Sequence, residues 1–96
     1  DQEYVLKISD ELLKEERPAC FIAAYGDEKP RLIAIANPKA LELGLHAGRL
    51  VSRLAGKLGG RGGGKDRLGQ GGLPKRPSED ELKKALMEIL GKSGSG

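Results

Sequence analysis

Between about Glu3 and Glu16 the apolar positions Val5, Ile8, Leu12 and Leu13 recur close to helical spacing, and Pro18 forbids that helix from continuing. Residues 19–25, Ala-Cys-Phe-Ile-Ala-Ala-Tyr, are too short and too apolar for a surface helix. Arg31-Leu32-Ile33-Ala34-Ile35-Ala36 reads as a second strand, and Gly26-Asp27-Glu28-Lys29-Pro30 lies between the two. Two apolar runs joined by five turn-forming residues predict a hairpin, with both strands covered on at least one face.

Asn37-Pro38 is a helix start, because Asn accepts from orphan amides and Pro is tolerated at the first helical position. That short turn ends at Gly44, and a longer helix is predicted from about His46 to Leu58. At 100° per residue this helix has three faces. Ala47, Leu50, Val51, Leu54 and Leu58 form an apolar stripe, while His46, Arg49, Arg53 and Lys57 form a basic one. Gly48, Ser52 and Gly56 make a third face with almost no side chain. Each helical glycine costs about 1 kcal/mol relative to Ala, so close packing or close approach of a ligand must offset it. The last helix opens with Ser78 as N-cap and Glu81 at capping-box spacing. Leu82, Ala85, Leu86, Ile89 and Leu90 supply its buried face, and Gly91 is expected to stop it. Glu79, Asp80 and Glu81 resemble an acid cluster, but the helix dipole accounts for them.

Composition narrows the class. Ninety-six residues make one domain at most. No apolar run approaches bilayer length, and no signal-peptide pattern is present, so no membrane partner is expected. The single cysteine, Cys20, reads as a buried reduced thiol in the cytosol. The chain opens at Asp1 and closes with Lys92-Ser93-Gly94-Ser95-Gly96. It is therefore read as a piece of a longer protein, with domain residues 1–92 and residues 93–96 as a flexible tail. Charge is segregated: His46 to Arg76 holds eight basic residues and one acid, a segment of +7 in a chain of +3, which leaves −4 elsewhere. Such a one-sided field attracts phosphate, although a solvated face would look the same.

Gly59-Gly60-Arg61-Gly62-Gly63-Gly64-Lys65 reads as neither a helix nor a sensible strand interior, on grounds of backbone entropy. Successive glycines can turn their amides toward one point to form an anion nest, and Arg61, Lys65 and Arg67 add charge that phosphates can use. Lys65 is followed by Asp66 rather than Ser or Thr, which excludes the P-loop pattern. A helix precedes the glycines where the dinucleotide fingerprint wants a strand, which excludes that pattern too. A plain linker stays open as a reading. Leu68-Gly69-Gln70-Gly71-Gly72 looks like a short glycine-flanked strand, with Gln70 available for hydrogen bonding. These elements predict an α/β chain of the α+β two-layer kind. Its small sheet contains the hairpin and the glycine-flanked strand, packed with three main helices. His46, Cys20 and Asp66 are scattered and offer no set of base, nucleophile and metal ligand, so no catalytic or metal residue is assigned.

His46-Ala47-Gly48-Arg49-Leu50-Val51, then Gly59-Gly60, then Gly62-Gly63-Gly64-Lys65-Asp66-Arg67-Leu68-Gly69-Gln70-Gly71-Gly72 resembles the DHH-associated (C-Ala-like) domain at the C-terminus of alanyl-tRNA synthetases. The hairpin before this segment and the acidic capped helix after it fall in the family's order. Gly69 stands where the family usually has Ala, and Arg67 where bacterial members tend to carry Asp.

The resemblance implies a non-catalytic, cytoplasmic module that grips the elbow of tRNA(Ala) by backbone and phosphate contacts, supporting aminoacylation and editing. Carried onto this chain, the contact residues are Arg49, Arg53, Lys57, Gly60, Arg61, Gly62, Gly63, Gly64, Lys65, Arg67 and Gln70. Other nucleic acid would bind nonspecifically. No cofactor is implied in this piece, since ATP, Mg and Zn would belong to other domains of the parent. The upstream strand and coiled-coil helix of the full C-terminal region are not in this sequence, so dimerisation is implied only for a full-length parent. Two alternatives remain: the substrate-binding accessory domain of a DHH-family phosphoesterase or exonuclease, and the C-terminal domain of a trans-acting alanyl-tRNA editing protein.

Overall fold

The computed structural model describes the backbone of residues 2–94 and the side chains of residues 3–91. Eight elements follow one another: α1 (Gln2–Lys14), β1 (Cys20–Tyr25), β2 (Arg31–Ala36), α2 (Pro38–Glu42), α3 (Ala47–Lys57), β3 (Arg61–Gly64), β4 (Leu68–Gly72) and α4 (Glu79–Gly94). The four strands form one antiparallel sheet in the order β1-β2-β4-β3. Sheet and helices together make the expected α+β fold, with the predicted hairpin as β1–β2 and the glycine-flanked strand as β4.

The strand alternation sets the layers. Leu32, Ala34 and Ala36 of β2 face α3 and join Leu50, Val51, Leu54 and Ala55 in the core. Ile33 and Ile35 face the other way, toward Val5 and Ile8 of α1, where Tyr4 meets Phe21 edge-on at 6.5 Å. β2 is therefore buried on both sides, while α1 covers only the β1–β2 half of the outer face.

Arg61–Gly64 corrects one expectation, because it is a strand paired along its length with β4. Glycine is costly in a strand, but this one lies at the sheet edge and needs close packing that a side chain would block. α4 departs from expectation in two ways. It runs through Gly91 rather than stopping there, since one glycine costs only about 1 kcal/mol and no neighbour crowds its Cα. Leu90, expected on the buried face, is half exposed at the rim of the stripe that Ala85 and Ile89 bury. Ser93 and Gly94 fall in the last turn of α4, and residues 95–96 lie outside the described residues. The capping box forms reciprocally: Ser78 N donates to Glu81 Oε1 at 3.0 Å, and Glu81 N donates to Ser78 Oγ at 3.1 Å. Those bonds hold the Glu81 carboxyl below its ordinary range.

Asn37 ties the layers together. It is 1% exposed, its Oδ1 accepts from Ala40 N and Ala19 N at 2.9 Å each, and its Nδ2 donates to Arg17 O at 2.7 Å and Leu12 O at 3.3 Å. One side chain thus caps α2 and fastens the α1–β1 connection. Replacing it removes the side-chain cap of α2 and the recorded partner of Ala19 N and Arg17 O, so Asn37→Ala should cost about 3 kcal/mol in urea denaturation. Lys39→Ala, exposed on the same short helix, should stay within about 0.5 kcal/mol.

Candidate nucleic-acid interface

The glycine-rich run folds as a hairpin laid on the start of α3. A helix leaves its first amides without intrahelical partners, and here those of Ala47, Gly48 and Arg49 find partners outside the helical ladder. Ala47 N donates to Asp66 O at 2.7 Å and Gly48 N to Lys65 O at 2.8 Å, both carbonyls belonging to the β3–β4 loop. Arg49 N donates to His46 Nδ1 at 3.1 Å, and Leu50 N makes the first regular helical bond, to His46 O at 3.0 Å. His46 is thus the N-cap of α3. The expected anion nest does not form. The run is an extended edge strand, so its amides alternate between the two sides instead of converging on one point as a nest would, and those that face β4 are used internally. Gly60 N donates to Ala55 O at 2.7 Å, Lys65 N donates to Leu68 O at 2.9 Å, and β3 pairs with β4 in between.

Such closeness requires bare backbone. A Cβ on Gly48 would overlap the carbonyl of Gly64, and one on Gly69 would lie 2.5 Å from Ala47 O. Gly62 and Gly71 are held equally tightly, each facing Val51 Cγ1. Close packing therefore accounts for Gly48. Gly56, on the same side-chain-poor face, meets no atom within 4 Å.

The candidate residues divide between surfaces. Arg49 and Arg53 flank an open groove of about 460 Å³ with Cys20, Leu50 and Ile89, and Lys57 beside them pairs with Glu88 of α4 at 2.9 Å. Arg61 and Gln70 alternate with Gly62, Gly69 and Gly71, which touch α3, so they point from the opposite face of the sheet. Gly63 shares that outer face, while Gly62 and Gly64 face α3 and Gly60 packs on Gly72. Lys65 and Arg67 extend from the hairpin loop, lining a third recess with Ser9 and Leu13 of α1. The structure therefore brings Arg61, Gly63 and Gln70 together, and separately Arg49, Arg53 and Lys57, with the sheet between the two sets.

Arg31, absent from the sequence-derived candidates, joins the outer face, because its register partner Gly72 is also the partner of Arg61. Its signal was weak: one charged residue opening an apolar strand. Burial pushes the Cys20 thiol above its ordinary range, which favours the protonated, unreactive form. Among the described residues, no three His, Cys, Asp or Glu side chains gather as a metal would need.

The DHHA1 domain family matches residues 1–92. Among solved structures, the crystal structure of the C-Ala domain from Aquifex aeolicus alanyl-tRNA synthetase has a TM-score of 0.73 at 23% identity, covering 94% of this chain and 81% of that one. At that identity the likeness is one of fold. Comparison with curated proteins gives no match.

The two glycines of α3 should respond oppositely to alanine. Gly48→Ala forces the hairpin off α3 and should destabilise by about 2 kcal/mol or more. Gly56→Ala meets open space and should stabilise by about 0.5–1 kcal/mol through helix propensity. Thermal denaturation of both variants checks the assignment of the tight face.

Proposed function

This chain belongs to the DHHA1 domain family, and on that premise we propose that it is the non-catalytic tRNA-binding module of an alanyl-tRNA synthetase. It would hold the elbow of tRNA(Ala) by phosphate contacts, so that aminoacylation and editing act on one bound tRNA. One observation carries the reading. Arg49, Arg53, Arg61, Lys65 and Arg67 are all exposed, and none has an ion pair or a side-chain hydrogen bond among the described residues. Cations that repel one another and lack partners among the described residues suit an external polyanion.

The likeness of fold to the C-Ala domain supports the assignment over 94% of the chain. Basic surfaces on two sides of a sheet suit a folded RNA that wraps the domain rather than a flat one. With aromatic content of 3%, recognition rests mainly on shape and phosphates. Catalysis, with its ATP, Mg and Zn, is assigned to other domains of a cytoplasmic parent, and dimerisation to the full-length protein.

Salt dependence of tRNA binding is the test. Neutralising about four phosphates gives a log–log slope of roughly −3 to −4, and Arg61→Ala with Lys65→Ala should reduce its magnitude by about two. A slope near zero, or a double variant indistinguishable from the unaltered chain, would sink the model.

A further inference from the structure

Strand register places one residue from each strand in a single row across the outer face: Tyr25 opposite Arg31, Arg31 opposite Gly72, and Gly72 opposite Arg61. Residues in register share a face, and Tyr25 sits on the α1 side with Phe21 and Ile33. All four members are exposed. The row crosses three strand spacings, about 14 Å. It ends in an open groove of about 610 Å³ that Lys29, Arg31 and Arg61 line against the one carboxylate of Glu28. Asp27, close by, is held by Arg76 at 3.0 Å.

Arg31 and Arg61 have no ion pair among the described residues, and two cations flanking one glycine repel each other. Gly72 between them differs from the tightly packed glycines, since a Cβ there meets no atom within 4 Å and its φ lies outside the range that favours glycine. Two residues back along β4, Gln70 is exposed on the same face, opposite Gly63, which is equally uncrowded.

We propose that this row binds a short unpaired stretch of RNA. Tyr25 stacks on a base, and Arg31 and Arg61 hold phosphates on either side of Gly72, whose bare backbone lets the sugar–phosphate chain lie against the sheet. Gln70 hydrogen-bonds the edge of a neighbouring base. Aromatic stacking beside a cationic track is the usual means of gripping single strands. This rests on the nucleic-acid reading above and adds a second contact surface, separated by the sheet from Arg49 and Arg53.

Fluorescence anisotropy with tRNA, a single-stranded RNA of about eight nucleotides and the same sequence as a duplex tests it. The unaltered chain should bind the single strand more tightly than the duplex. Gly72→Val should weaken single-strand binding about fivefold or more without lowering the melting temperature, because a β-branched residue suits an open strand position. Arg31→Ala should also weaken it and reduce the salt slope by about one. Arg49→Ala with Arg53→Ala should weaken tRNA binding alone. The chain holds two tyrosines and no tryptophan, so in Tyr4→Phe only Tyr25 emits, and the single strand should quench it. If tRNA binding persists while Gly72→Val and Arg31→Ala match the unaltered chain and Tyr25 emission is unchanged, the row is overturned and the tRNA reading stands. If the unaltered chain binds no RNA, both fall.

Discussion

Ala47 and Gly48 donate their amides to the carbonyls of Asp66 and Lys65, and those two hydrogen bonds bring a hairpin down onto the first turn of a helix. Buried amides at a helix start must be satisfied. Here backbone satisfies them where a capping side chain would ordinarily do so, which brings main chain against main chain. Side chains are excluded from the contact, and Gly48, Gly62, Gly64, Gly69 and Gly71 follow from it. Val51 then reaches the underside of the hairpin, and the core of β2 and α3 closes beneath it.

That contact also determines what is left for a ligand. A glycine loop with converging amides would be an anion nest, whereas this one is an extended edge strand that uses the amides facing β4 within the sheet. In the proposed function, recognition would rest on side chains projecting from the hairpin and on the basic stripe of α3. The glycines therefore fall into two kinds. Those facing α3 are required by packing, and Gly63 and Gly72 on the outer face are not. Arg31, Arg49, Arg53, Arg61, Lys65 and Arg67 have no ion pair among the described residues, and the proposed binding of phosphate rests on that.

Much of the fold was legible in local chemistry. Asn37-Pro38, the Ser78–Glu81 capping box and the apolar stripe of α3 each specify a structure through neighbours within one turn. β3 was not legible, because its four residues carry no apolar alternation and its pairing depends on a helix earlier in the chain. The continuation of α4 past Gly91 was hidden for a related reason: a glycine marks a helix end only where something else ends the helix. The basic candidates were readable from charge alone, but their division between two faces depends on strand parity, which register alone supplies. Tyr25 and Arg31 went unnoticed because their neighbours in space, Gly72 and Arg61, are distant in sequence.

Amide hydrogen exchange at Ala47 and Gly48, followed in the free domain and with tRNA added, tests most directly whether the glycine hairpin is a closed structural cap. The account predicts protection comparable to the middle of α3 in both states, since the loop carbonyls already hold these protons. Rapid exchange in the free domain that slows on adding tRNA would contradict it, because the helix start would then open to receive a phosphate.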